Sequence, residues 1–172
     1  ADDRSGVTVT VNVGSEIKTL SGDNAIVGKS STNLTVNNSG KIYSAAAKAV
    51  SFRQGSGATL SNNSGATIYA ATNTISGNHN DTENATITNS GTIYSTDAST
   101  NTIIFGVGST GNSIVNNAGG EIYTEGTGAT IKLGASSTLT NSGTIKTGSV
   151  SSRAINAAGS NNTITLKDDG KI

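Results

Sequence analysis

A segment of the form apolar–x–Asn–Ser–Gly–x–Ile–Tyr returns along this chain, and that periodicity restricts the fold more than any other feature. It reads TVNNSGKIYS from Thr35, LSNNSGATIYA from Leu60 and TITNSGTIYS from Thr86. It returns as IVNNAGGEIYT from Ile114 and TLTNSGTIKT from Thr138. Weaker copies stand at either end, VNVGSEIKT from Val11 and ITLKDDGKI from Ile164. The Ile after the Gly falls at Ile17, Ile42, Ile68, Ile93, Ile122, Ile145 and Ile172, in steps of 25, 26, 25, 29, 23 and 27. Helical repeats such as ankyrin and TPR run at about 33–34 residues. No stretch here shows the 3.6-residue apolar spacing of a helix.

Each repeat divides into three short pieces of alternating apolar and polar residues, the pattern of a strand with one buried face. The first carries Val36, Leu60, Ile87, Ile114, Leu139 and Leu166, and the second carries the recurring Ile. The third carries Ile26, Val50 with Phe52, Ile75, Ile103 with Phe105, Ile131 with Leu133, and Ile155. Three strands and three turns make one coil. Stacked coils about 4.8 Å apart pair each strand in parallel with its copy above. No coil buries its apolar side alone, so stability comes from neighbours. The expected fold is all-β: a right-handed, single-stranded parallel β-helix with three strands per coil and about seven coils. Residues 1–172 form one domain in this reading.

The Asn-Ser-Gly turn has a physical role in such a stack. Asn38, Asn63, Asn89, Asn117 and Asn141 are expected to form a ladder of side-chain amides, or else are ordinary turn residues. Gly40, Gly65, Gly91, Gly119 and Gly143 are expected where φ is positive or backbones approach closely.

Composition removes several functions. Gly is 22 of 172 residues, and Cys, Pro, Met and Trp are absent. Without Cys there are neither disulfides nor thiolate metal sites. Eleven basic residues balance eleven acidic ones, with no basic stripe, so nucleic acid is not an expected partner. No apolar run reaches membrane-spanning length. Low charge and a fixed apolar period also separate this polar chain from disordered ones.

Repeats such as TITNSGTIYS and TLTNSGTIKT resemble the passenger regions of bacterial autotransporters, the type V secretion proteins. The resemblance spans about Val7 to Ile172. It implies export and display at the bacterial cell surface or outer membrane, or release as a secreted protein. The opening ADDRSG fits a mature exported start, and the break within a repeat at Lys171-Ile172 fits part of a longer chain. Passengers of this type act in adhesion, cell–cell aggregation and biofilm formation, or serve as stalks.

All four tyrosines, Tyr43, Tyr69, Tyr94 and Tyr123, directly follow the recurring Ile, with Lys18 and Lys146 in the same slot at the ends. An inward Ile turns the next residue outward. The four are therefore expected to form a solvent-facing stripe, either as a binding surface or as stacking that only supports the sheet. Possible partners are another copy of the chain, or a host or surface glycan or protein.

His79, Asp81 and Glu83 form a second candidate group, either a divalent-cation contact or a polar loop tip. No metal or cofactor is expected on balance. Asp97 and Glu125 are expected as neighbours, without the paired-carboxylate arrangement of a glycosidase. GVGSTGN from Gly106 lacks the Lys and strand–helix setting of a phosphate loop. Catalysis is not expected. Three readings remain: an adhesive or self-associating module, a structural stalk presenting another domain, and a glycan-binding β-helix.

Overall fold

A computed structural model describes residues 5–78, 82–167 and 169–172. The described residues form short strands joined by turns, with no helix. The strands visit three parallel sheets of seven, six and six strands in strict rotation, one strand per sheet per coil. The result is a parallel β-solenoid of about six turns with three strands per coil. The expected seven included the partial last repeat. That repeat supplies only the strand Thr163–Leu166 and a single bridge from Thr144 to Lys171.

The alternating pattern sets the register. In the first sheet, Val9, Val36, Leu60, Ile87, Ile114, Leu139 and Ile164 pair in succession. Ile17, Ile42, Ile68, Ile93, Ile122 and Ile145 do so in the second. Ile26, Val50, Ile75, Ile103, Ile131 and Ile155 form the third column. These columns fill the interior, and their central members are essentially inaccessible to water. Each such Ile or Leu contributes about 1.5–3 kcal/mol by burial. One expected member is corrected: Leu166 pairs with Asn141, and Ile164 holds the first-sheet column.

The interior is polar at one corner. Asn38, Asn62, Asn89, Asn116 and Asn141 end the first-sheet strands, fully buried, and form the ladder. Each Nδ2 donates to the Oδ1 of the next Asn, at 2.8, 2.9, 2.8 and 2.8 Å. Val11 and Leu166 take the same slot in the end strands, where an amide would have only one neighbour. The expected Asn63 and Asn117 lie one residue outside the ladder. Their turns carry extra residues, and strand pairing, not distance from the Gly, selects the inward Asn. Asn63 is exposed and bonds Ser39 Oγ at 2.8 Å.

Both expected glycine roles occur. Gly65 (φ 77°) and Gly119 (φ 80°) take positive φ in open space. Gly40, Gly91 and Gly143 instead lie against the coil below, where a Cβ would come within 2.3 Å of a carbonyl oxygen. A further left-handed column precedes the first sheet: Gly6, Asn33, Gly57, Asn84, Gly111, Ser136 and Asn161, each two residues before its strand. Gly and Asn tolerate this conformation best, which explains their predominance there.

The third sheet shows size complementarity. Phe52 and Phe105 are fully buried with Gly77 between them, and a Cβ on Gly77 would stand 2.6 Å from Phe105 Cδ1. By sequence the longest repeat, Ile93 to Ile122, is expected to insert around Phe105–Asn112; instead its extra length lies in residues 96–102, against 71–74 one coil below, and in 117–120, against 90–91. Turns absorb added residues by bulging outward while the strands keep register.

Candidate contact surface on the second sheet

The four tyrosines stand on consecutive coils of the second sheet. Tyr43 pairs with Tyr69, Tyr69 with Tyr94, and Tyr94 with Tyr123. Their half-buried side chains lie on the outer face, because each neighbouring Ile points inward. Ring centroids are 4.8, 5.0 and 4.9 Å apart, with planes inclined by 3, 10 and 6°. The strand repeat thus imposes a continuous stack. Each inner ring has both faces covered by neighbours, leaving ring edges and hydroxyls toward solvent. None of the four hydroxyls has a hydrogen-bond partner among the described residues.

Charge brackets the stack. Lys18 pairs with Tyr43 at one end and Lys146 with Tyr123 at the other. The Lys41 ammonium lies 4.9 Å from the Tyr43 centroid and 5.2 Å from that of Tyr69. Lys146 lies 4.8 Å from the Tyr123 centroid. Glu16 bonds Lys18 at 3.1 Å and lies 3.8 Å from Lys41, and Glu121 lies 3.5 Å from Lys146. The hydrogen bond and charge of Glu16 hold the Lys18 ammonium above its usual range. Such exposed, solvent-screened pairs contribute little to stability. Their effect is on the field a partner meets.

Burial pushes the Tyr94 and Tyr123 phenols above the ordinary tyrosine value. Neighbouring rings add to the shift at Tyr94, and the Glu125 carboxylate adds at both. These two phenols therefore stay neutral to higher pH than a free tyrosine.

Buried threonines anchor this face from behind. Thr102 Oγ1 donates to the Tyr123 carbonyl at 2.6 Å, Thr130 Oγ1 to that of Lys146 at 2.7 Å, and Thr74 Oγ1 to that of Tyr94. Each precedes a third-sheet Ile, and all three are inaccessible to water. The recurring Thr-Ile step carried the signal for this role, which the sequence reading did not identify.

The other candidates are less organised. His79 and Asp81 lie outside the described residues. Glu83 is exposed and bridges Ser56 to Thr110 through its backbone. No group of three or more metal-ligating residues occurs among the described residues. The Asp97 carboxylate accepts from the Ser99 backbone N–H at 2.7 Å and hydroxyl at 3.0 Å, closing its own turn. No helix among the described residues is long and apolar enough to cross a membrane. Comparison with protein families, curated proteins and solved structures returns no match to this chain.

Proposed function

We propose that this chain is a contact module of a bacterial surface or secreted protein, of the autotransporter-passenger type. It joins cells or surfaces by association of one rod with another through the tyrosine face. The repeat of that face carries the reading: four unpartnered hydroxyls and ring edges stand 4.8–5.0 Å apart in a straight line. A second copy has the same coil spacing, so every Tyr meets an equivalent position along the contact. Many weak contacts then add through avidity when rods are displayed together. Tyr is suited to this because it supplies amphipathic area at low ordering cost. The module performs no catalysis in this reading.

A glycan lying flat on the rings fits less well, since stacking against sugar needs ring faces that the inner tyrosines already share. The stalk reading draws support from the Asn ladder and the apolar columns, which bind each coil to its neighbours and suit coil-by-coil folding.

Beads coated with the chain test the proposal directly. Coated beads are expected to cluster without added ligand. Beads carrying Tyr69→Ser/Tyr94→Ser are expected to remain dispersed, with an unchanged β-sheet circular dichroism signal. Equal clustering of both would remove the tyrosines from the contact, and no clustering of either would favour the stalk.

A further inference from the structure

The third sheet carries a different kind of site on its outer side. Its outward positions on the first, fourth and fifth coils are apolar or long, Val27, Ile104 and Lys132, which leaves a gap on the second and third. The gap is filled by Ser51 and Ser76, paired with each other in register, with Val27 below and Ile104 above. Two hydroxyls thus form a small polar floor between apolar neighbours. That floor opens into a cleft of about 190 Å³, lined by Lys48, Ser51, Arg53, Ser76 and Asn78.

Three features make this cleft more than a surface depression. Both serines are more than nine-tenths buried, at 4 and 3 % exposure, yet their side chains line the opening. Buried hydroxyls ordinarily find partners. The Ser51 hydroxyl has no hydrogen-bond partner among the described residues, so it has free capacity to donate into the cleft. The Ser76 hydroxyl accepts from the Asn78 backbone N–H at 3.3 Å, which leaves its own proton free to point outward. Finally, Lys48 and Arg53 flank Ser51 on the same coil, and neither pairs with a carboxylate among the described residues. Among the described residues that line the opening, the side chains are two hydroxyls, two cations and the Asn78 amide, with no carboxylate.

We propose that this cleft binds a tetrahedral oxyanion group, phosphate or sulfate, carried on a larger ligand. Arg53 supplies the planar fork that suits two oxygens at once, and Lys48 adds a second positive charge. The two serine hydroxyls, one coil apart, donate to the oxygens facing the floor. The volume admits one such group, and the remainder of the ligand continues along the rod outside the cleft. The site is on a different sheet from the tyrosines, and its occupancy does not depend on self-association.

Isotope-labelled full chain titrated with inorganic phosphate, and separately with inorganic sulfate, tests this at ionic strength held constant with sodium chloride. Saturable shifts are expected at the Ser51, Ser76 and Asn78 amides. Arg53→Gln is expected to weaken binding by about tenfold, the loss of a charge-assisted bond. Ser51→Ala, which removes one hydroxyl from the floor, is expected to weaken it several-fold, with other amide positions unchanged. Dextran sulfate and polyphosphate then identify the source: tighter binding of either, lost in Arg53→Gln, supports the site and names the group. Shifts that fail to saturate, or that are equal in the wild type and both variants, would overturn the proposal. So would shifts confined to residues away from the cleft.

Discussion

Replacing Asn89 by Ala removes the centre of the amide ladder, and the structure allows the cost to be worked through. Asn89 is inaccessible to water. Its Oδ1 accepts from Asn62 Nδ2 at 2.9 Å and from the Gly91 N–H at 3.3 Å. Its Nδ2 donates to Asn116 Oδ1 at 2.8 Å and to the carbonyls of Gly91 and Glu121, each at 3.1 Å. After truncation, Asn62 Nδ2 still reaches the carbonyls of Ala66 and Thr92 at 3.4 and 3.2 Å. Asn116 Oδ1 has no other donor among the described residues and becomes a buried orphan. One such orphan costs about 1–3 kcal/mol, and each weakened bond about 0.5–1.5. The vacated volume adds to this. The expected loss is roughly 3–5 kcal/mol, a large share of the 5–15 kcal/mol typical of a domain. Asn63→Ala is the control, because that exposed side chain makes a single bond to Ser39; its cost should stay below about 1 kcal/mol. Urea unfolding followed by circular dichroism measures both, with unchanged slope as the condition for comparison. Equal midpoints for the two variants would refute the ladder as a source of stability.

Other consequences follow from the packing and the tyrosine environment. Gly77→Ala forces a Cβ to within 2.6 Å of the Phe105 ring and 2.8 Å of Thr82 Cγ2, and should cost about 1–3 kcal/mol in the same urea assay. Gly111→Ala combines φ 68° with a Cβ 2.4 Å from Asn84 Oδ1, so it should destabilise more than Gly65→Ala, which meets only the backbone strain at φ 77°. The raised Tyr94 and Tyr123 phenols give a definite pH sign. The unfolded chain ionises near the ordinary value of about 10 while the folded rings remain neutral. Their contribution is therefore full below that value and is lost as pH rises through the raised ones. Urea midpoints for the wild type should fall in this alkaline window, and Tyr94→Phe/Tyr123→Phe should flatten the fall.

The sequence disclosed the coil and its strands because the signal is redundant: the recurring Ile, its following Tyr and the apolar alternation all repeat at one period. The tyrosine stack was legible for the same reason, since register alone places Tyr43, Tyr69, Tyr94 and Tyr123 on one line. Turns were harder to read. With consecutive Asn residues, only the pairing of Asn62 with Asn38 and Asn89 identifies the inward one, and Asn63 matches the motif equally well by eye. Leu166 was misplaced similarly, because both Ile164 and Leu166 fit an alternating strand and the partner strand chooses between them. The Ser51–Ser76 cleft left no trace as a motif. Its residues come from two coils and both ends of a strand, so their proximity exists only after stacking.

Sedimentation of the purified chain over a wide concentration range, beside Tyr69→Ser/Tyr94→Ser, tests the central claim most directly. Reversible association of the wild type that is lost in the variant is the predicted result. A strict monomer for both at high concentration, or equal association of both, would contradict contact through the tyrosine face.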